Sequence, residues 1–351
     1  MTEQYTLRVL QSSQQAIWDA FVNEHPQGHL LQSWGWGELK AGANWQPSRL
    51  ALWDGQHERI IAAAQVLRRT VAHLPARLGH LAYIPKGPVL DWTARTDDGS
   101  SLARLFLHML RDSLRHQGAL ALQLEPNLEM ETPTGQAALL HLKELGLHAT
   151  RAVQPLRTIV LDVRPDETTL LAHMKEKWRY NLRLARRKGV EVRTAQTLAD
   201  LQAWYALLQT TGQRDQFGIH TFTYYRKAWE LLAERQQARL FLAYAQEELL
   251  AGIFVSLLAG EAIYLYGASS NSQRNLMPNY LLQWEAIRWA RLAGARSYDF
   301  WGIPATDESD EALAGVYRFK SGWGGRVVRL LGNYEDIYHP LAISAARRLL
   351  G

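Results

Sequence analysis

The sequence predicts an α/β (α+β) fold of two similar domains, each a mixed sheet flanked by helices. At 351 residues the chain exceeds the length at which one hydrophobic core usually stops growing. Its 47% apolar and 21% charged content is that of a globular protein. The order strand, strand, strand, helix, strand also occurs twice, which indicates two copies of one α/β unit.

The first copy begins with "SRLALWDGQHERIIAAAQVLRR", which predicts two strands joined by an Asp-Gly turn. "LAYIPKGPVL" predicts a third strand that leads into a loop. A helix is predicted from about Ser101 to Gln117, with Gly118 ending it. "ALALQLEP" then predicts the fourth strand.

The second copy begins with "ARLFLAYAQEELLAGIFVSLLAGEAIYLYGASS", which predicts three strands with turns at Gln246 and Gly260. A loop to Pro278 leads into a helix that Gly294 ends. "ARSYDFWGIP" predicts the strand after it.

These patterns set the domain boundaries that we expect. The first domain covers residues 1–155 and the second covers 156–330, with a basic helix at 170–188. Residues 331–351 form a C-terminal segment that we expect to pack back on the first domain.

Composition excludes several classes of protein. The chain has no cysteine, so it has no disulfide framework and no cysteine-ligated metal. The 12 histidines are scattered, and we expect neither a metal nor a cofactor. The start "MTEQYTLRVL" does not resemble a secretory signal, and no run of apolar residues is long enough to span a bilayer. We therefore expect a cytoplasmic protein, and leave open peripheral contact with the inner face of the membrane.

The positive charge is concentrated in one segment. From Lys175 to Arg193 there are eight basic residues against two glutamates, whereas the whole chain carries only +5. Four apolar residues fall at helical spacing there: Met174, Trp178, Leu182 and Ala185. The other face carries the arginine stripe Arg179, Arg183, Arg186 and Arg187. A solvated charged face is one interpretation, but the single sign of charge favours a polyanionic partner.

One lysine lies in an unusual setting. "GVYRFKSGWGG" places Lys320 between Phe319 and Trp323 on a predicted glycine-rich loop, in a chain with 8 lysines and 31 arginines. An ammonium with an ordinary pKa of about 10.4 stays charged at neutral pH and can stabilise an oxyanion or protonate a leaving oxygen. The alternative is an exposed lysine on a hairpin.

Polar residues also gather near predicted strand ends, where α/β folds place function. Tyr266 ends a strand, and "SSNSQRNLMPNY" carries Arg274 and Tyr280 to the start of a helix. An arginine beside a helix N-terminus favours anions, although Arg274 in a merely solvated loop is an equal alternative. Tyr298 lies on the next strand.

Three segments together resemble the Fem family (FemA, FemB and FemX), the peptidoglycan-bridge aminoacyltransferases: "MKEKWRYNLRLARRKGVEV", "YLYGASSNSQRNLMPNYLLQWEAIRWARLAGARSYDFWGI" and "GVYRFKSGWGG". "LLQSWGWGELKAGANW" and "YIPKGPVL" support it in the first half. The resemblance implies two domains of the GCN5-related N-acetyltransferase fold. The chain has no long heptad-like insertion of the kind that forms a helical arm in some members, so we expect the compact form. The resemblance also implies transfer of an amino acid from aminoacyl-tRNA to the stem-peptide amine of a peptidoglycan precursor, nucleotide-linked or lipid-linked, by a monomer.

The same resemblance implies roles for single residues. Lys320 and Phe319 match the pair at the family's reaction centre, and the arginine stripe would contact tRNA. Residues assigned to substrate binding are Lys40 and Arg274 at the precursor phosphates, Tyr280, Tyr298 and Tyr266 near them, and Glu125, where the family usually has aspartate.

Two rival functions remain. A coenzyme A-dependent N-acyltransferase of the same fold would need a glycine-rich turn for the pyrophosphate, but the corresponding stretch is "RNLMPNY". A non-catalytic RNA-binding protein would use the arginine stripe alone.

Overall fold

A computed structural model of the protein describes residues 4–43, 45–70, 79–304 and 311–344. Contacts divide the chain into two compact units. The first unit combines Met1–Leu156 with Arg329–Gly351, and the second is Arg157–Val328.

The described strands are, in chain order, β1 (Tyr5–Val9), β2 (Gln46–Asp54), β3 (Arg59–Thr70), β4 (His80–Pro85), β5 (Val89–Leu90), β6 (Ala119–Glu125), β7 (His148–Thr150), β8 (Arg157–Asp162), β9 (Glu191–Thr194), β10 (Ala238–Ala245), β11 (Glu248–Leu258), β12 (Glu261–Ser269), β13 (Ser297–Gly302), β14 (Arg326–Arg329) and β15 (Asn333–Ile337).

The described α-helices are α1 (Gln15–Glu24), α2 (Trp34–Ala41), α3 (Leu102–His116), α4 (Pro133–Glu144), α5 (Glu167–His173), α6 (Glu176–Arg187), α7 (Leu198–Asp215), α8 (Phe222–Ala228), α9 (Pro278–Leu292) and α10 (Glu311–Ser321).

Each unit contains one mixed sheet, and the two sheets have the same design. The first has the order β1-β2-β3-β4-β6-β15-β7, with β5 paired to β3, and the second has the order β9-β10-β11-β12-β13-β8-β14. The pairs β4–β6 and β12–β13 are parallel, so each needs a crossover, which includes α3 in one unit and α9 in the other. The predicted α/β fold with a duplicated unit is confirmed.

The two sheets differ in the origin of one strand. In the first sheet, β15 lies between β6 and β7, with Tyr334 paired to Leu124 on one side and to Ala149 on the other. In the second sheet the corresponding place is taken by β8, which is the first strand of its unit.

The predicted strands and turns of both copies are confirmed. Apolar alternation gives β2 and β3 in one unit and β10 to β12 in the other, with positive φ at the predicted turns of Gln246 and Gly260. The helix predicted from Ser101 is α3, with the Ser101 hydroxyl accepting from the Arg104 amide as its N-cap.

The prediction of one basic helix over 170–188 was wrong. The segment forms two helices, α5 and α6, because the backbone of Met174 is extended and its side chain is buried. The guanidinium of Arg179 donates to the carbonyls of Leu171 (3.3 Å) and Ala172 (3.1 Å), and to that of Met174, so it caps the end of α5. The predicted apolar face is confirmed, since Trp178 and the other three residues are buried in the core of the second unit.

The prediction of a glycine-rich loop around Lys320 was also wrong. Lys320 lies in the last turn of α10, and the glycines that follow it end the helix. The alternative, an exposed lysine on a hairpin, fails as well, since only 8% of Lys320 is exposed. No helix in the described part of the chain is long and apolar enough to cross a membrane.

Candidate active site

A cavity of about 660 Å³ lies in the second unit along β12. Its lining comes from the end of α7, the strand β12, the start of α9 and the last turns of α10. It brings together four of the predicted site residues: Arg274, Tyr280, Phe319 and Lys320.

Lys320 is held by backbone carbonyls. Its Nζ donates to the Gly302 oxygen at 2.7 Å and to the Trp301 oxygen at 3.3 Å, and it lies 5.8 Å from the ring centroid of Tyr264. An ammonium has three N–H groups, so one remains to donate to a ligand in the cavity.

An irregularity in β13 creates this cradle. The pairing of β13 with β8 shifts register between Asp299 and Gly302, and Trp301 has a φ of +60°. A bulge re-aims the backbone groups of the bulged strand. The Asp299 carboxylate stabilises the bulge in β13, because it accepts hydrogen bonds from the Trp301 amide at 2.7 Å and from the Thr158 hydroxyl.

The pKa of Lys320 departs from the ordinary value that the sequence led us to expect. Burial lowers it to about 8, and the negative charge of Asp299 opposes part of this effect. The side chain is therefore mostly an ammonium at pH 7 and loses its charge just above pH 8.

Aromatic rings close the space around the lysine. The Tyr280 ring lies 5.5 Å from Phe319 and 5.7 Å from Trp178, both edge to face, and 6.2 Å from Trp323. Trp323 is fully buried, and only 8% of Lys320 is exposed. Low polarity strengthens the electric field of the Lys320 ammonium.

A second irregularity, in β12, separates two tyrosines. Tyr264 pairs with Val255 of β11 and Tyr266 pairs with Phe254, so the register of the two strands shifts by one residue between these pairs. As a result Tyr264 lines the cavity, whereas the Tyr266 hydroxyl lies 3.4 Å from that of Tyr224 and its ring packs on Tyr225. Tyr266 does not line the cavity.

Tyr298 lies behind the cavity wall. It is fully buried, and its hydroxyl accepts a hydrogen bond from Gln283 Nε2 at 2.5 Å. Burial raises its pKa well above the ordinary value. Gln283 lines the cavity, so Tyr298 reaches a ligand only through that amide.

Glu125 and Lys40 belong to the first unit. The Glu125 carboxylate accepts from the Tyr83 hydroxyl, from the Val153 amide at 2.6 Å and from the Gln154 amide at 3.0 Å. These bonds hold the chain after β7 against β6. Lys40 lies at the end of α2 with Nζ 4.8 Å from the Trp36 ring centroid, and burial lowers its pKa.

The arginine stripe divides into two pairs. Arg179 caps α5, and Arg186 forms an ion pair with Glu285 at 3.1 Å. Arg183 and Arg187 are exposed. Only this second pair is fully available to a partner.

The sequence did not indicate Arg214, which lines the cavity where β12 ends. It donates to the Ser269 carbonyl at 3.0 Å and to Asn271 Oδ1 at 2.9 Å, and it pairs with Asp215. The hydrogen bond from Arg214 lowers the pKa of Asp215, and the positive charges of Arg214 and Arg274 add to this effect. Tyr264 and Ser269 are five residues apart on β12, so Arg214 lies roughly 15 Å along the strand from the lysine.

Comparisons of the chain with known protein families, sequences and structures agree with this architecture. The FemAB family model matches residues 14–248 and 233–349. A lipid II:glycine glycyltransferase of Staphylococcus saprophyticus is 26% identical, over 91% of this chain and 90% of the relative. The crystal structure of FemX has a TM-score of 0.85 at 24% identity, covering 97% of this chain and 99% of FemX. A tandem GNAT protein from the clavulanic acid pathway has a TM-score of 0.55 at 13% identity, covering 95% and 98%.

The structural neighbours confirm the predicted tandem acetyltransferase-like fold, and the family match confirms the predicted resemblance. Because the family model covers almost the whole length, the chain belongs to the FemAB family and is an aminoacyltransferase.

Proposed function

We propose that the protein transfers an amino acid from aminoacyl-tRNA to the stem-peptide amine of a lipid-linked peptidoglycan precursor. The observation that carries this proposal is the Lys320 ammonium, buried at the cavity and held by two carbonyls with one N–H to spare. A fixed donor of this kind suits a reaction in which an oxyanion develops.

In the proposed reaction the acceptor amine attacks the ester carbonyl that joins the amino acid to the tRNA ribose. A C–N bond forms, the C–O bond to the ribose breaks, and one proton of the amine ends on the ribose oxygen. Lys320 donates a hydrogen bond to the carbonyl oxygen, which carries negative charge in the tetrahedral intermediate. The lysine itself is unchanged at the end of the reaction. Phe319 and Tyr280 keep water from the ester.

The acceptor is assigned from charge and from the relatives. Arg214 is paired with Asp215, which also lines the cavity, so Arg274 supplies the net positive charge there that suits the phosphates of the precursor. The relatives are named for lipid II, which favours a lipid-linked acceptor over a nucleotide-linked one. A lipid-linked acceptor requires contact with the cytoplasmic face of the membrane. Lys40, from the first unit, is proposed as a further contact to the precursor.

Residues on one face of α6 support tRNA as the carrier of the amino acid. Tyr180, which is 52% exposed, lies three residues before Arg183 and seven before Arg187, so the three share one helical face. Neither arginine forms an ion pair or hydrogen bond with a described residue. Arginines that contact phosphates and an aromatic ring that stacks on bases are a common RNA-binding combination.

The backbone at the start of α9 argues against coenzyme A as the donor. The amides of Leu276, Met277 and Tyr280 are bonded within the turn, to the carbonyls of Gln273, Arg274 and Met277. Pro278 has no N–H to offer. Few amides therefore remain to cradle a pyrophosphate.

The test is transfer with purified components. The protein is incubated with tRNA charged with one amino acid at a time and with either lipid-linked or nucleotide-linked precursor, and the product mass is measured. We expect a mass increase of one or more amino acids on the lipid-linked precursor, abolished when ribonuclease destroys the donor. Acetyl transfer from acetyl-coenzyme A would overturn the proposal, and RNA binding without transfer would favour the non-catalytic alternative.

A further inference from the structure

Tyr264 presents a hydroxyl group to the catalytic cavity that the reaction described above does not use. Its ring lies beside the Lys320 ammonium, and the bulge in β12 turns its side chain to the cavity face. The hydroxyl extends over Gly267, where an added Cβ would overlap the oxygen. Glycine at 267 therefore leaves room for this hydroxyl.

The hydroxyl of Tyr264 has no hydrogen-bond partner among the described residues, unlike those of its neighbours. Tyr298 accepts from Gln283, and Tyr266 pairs with Tyr224. Burial raises the pKa of Tyr264 to about 12, so its O–H stays protonated at neutral pH. A hydroxyl on a cavity-lining residue that has no protein partner is free to hydrogen-bond a ligand bound there.

We propose that the Tyr264 hydroxyl is a second catalytic donor, which hydrogen-bonds the ribose oxygen that leaves the aminoacyl ester. This inference rests on the proposed function and names the group that acts beside Lys320. The lysine meets the carbonyl oxygen, and the tyrosine meets the oxygen on the other side of the breaking C–O bond. The proton that finally occupies the ribose oxygen still comes from the attacking amine, and Tyr264 keeps its own.

A hydrogen bond to an oxygen that gains charge is worth more in the transition state than in the ground state. Its removal should therefore slow transfer without weakening binding of the charged tRNA. Phenylalanine is the right replacement, because it keeps the ring against the lysine and deletes only the oxygen.

The experiment is single-turnover transfer to lipid-linked precursor from pre-charged tRNA bound to saturation, with tRNA affinity and melting temperature measured for each variant. Tyr264→Phe should lower the rate about 10- to 100-fold, as expected for a lost hydrogen bond to a charged group. Its tRNA affinity and melting temperature should stay at the wild-type values. Tyr244→Phe, on strand β10 of the same sheet, is the matched control and should transfer at the wild-type rate.

A wild-type rate in a folded Tyr264→Phe variant would overturn the inference while leaving the proposed function intact. Loss of tRNA affinity at an unchanged saturated rate would also overturn it, since the hydroxyl would then serve binding alone. If the wild-type protein transfers no amino acid, the proposed function fails and this inference fails with it.

Discussion

The indole nitrogen of Trp178 donates a hydrogen bond to the backbone carbonyl of Phe319 at 3.0 Å. The Lys175 amide donates to the Gly322 carbonyl at 2.9 Å in the same place. The start of α6, which carries the proposed RNA face, is thus fixed to the last turn of α10, which carries Lys320. A displacement at this contact must move the ammonium.

Gly322→Ala tests this contact. A Cβ at position 322 would overlap the indole ring of Trp178, so α10 must shift away from α6. We expect a loss of about 1–3 kcal/mol in the free energy of unfolding, as for overpacked cores, and a slower transfer rate. Denaturant unfolding and single-turnover transfer measure the two effects. Gly315→Ala, on the same helix with open space around its Cβ, should keep or raise the stability, because alanine favours helix.

Lys320→Met should lower the transfer rate by about 10² to 10³, the usual cost of one oxyanion donor. Most of the methylene stem is retained, so the melting curve should still show a folded protein. Lys320→Arg should recover part of the rate, limited by a wider planar head between two carbonyls. Wild-type rates in a folded Met variant would show that Lys320 has no role in the reaction.

The pH dependence follows from the lowered pKa of Lys320. Above about pH 8 the wild type loses the ammonium, and with it the donor, so the ratio of the wild-type rate to the Met-variant rate should fall toward one. Ionisation of the acceptor amine affects both proteins equally and cancels in this ratio. The ratio of the Arg-variant rate to the Met-variant rate should stay constant to about pH 10, because a guanidinium does not titrate there. A wild-type ratio that is flat across pH 8 would contradict this assignment.

Arg183→Gln with Arg187→Gln should weaken tRNA binding and lower the log–log slope of its salt dependence by roughly one per lost phosphate contact. Arg179→Gln should instead lower the melting temperature, because its guanidinium caps α5. Filter binding across a salt series and thermal melting separate the two results. An unchanged slope in the double variant would make the stripe a solvated face.

Glu125→Gln should destabilise the first unit by about 1–3 kcal/mol, since an amide cannot accept from all three donors that the carboxylate satisfies. The apparent KM for the precursor should not change. A raised KM with unchanged stability would instead support the substrate contact that the family resemblance implies.

The sequence predicted what depends on local pattern. Alternating apolar residues and turn residues indicated β2, β3 and β10 to β12, and Ser101 with Gly118 marked the ends of α3. The two bulges could not be predicted from the sequence, because the position at which an extra residue enters a strand depends on its pairing with the neighbouring strand. Tyr264 and Tyr266 are two positions apart, which predicts one face of a strand, yet the bulge in β12 places them on opposite faces.

The same limit applies to the proposed reaction centre. The glycines after Lys320 suggested a loop, but they only end the helix that carries it. The carbonyls that hold the ammonium come from the backbone of β13. Because every residue has a backbone carbonyl, the sequence does not indicate which of them will bind a side chain. Arg214 was missed because its role depends on how α7 packs beside the end of β12.

Strand β15 has a consequence for the order in which the chain folds during synthesis. All residues of the second unit have been made once Val328 is added, whereas the first sheet still lacks the strand that pairs with β6 and β7. Asp336, which forms an ion pair with Arg111 at 2.6 Å, arrives with that strand. Until β15 is made, β6 has no neighbour on the side where β15 pairs, so we expect the first sheet to be completed only after the second unit has been synthesised.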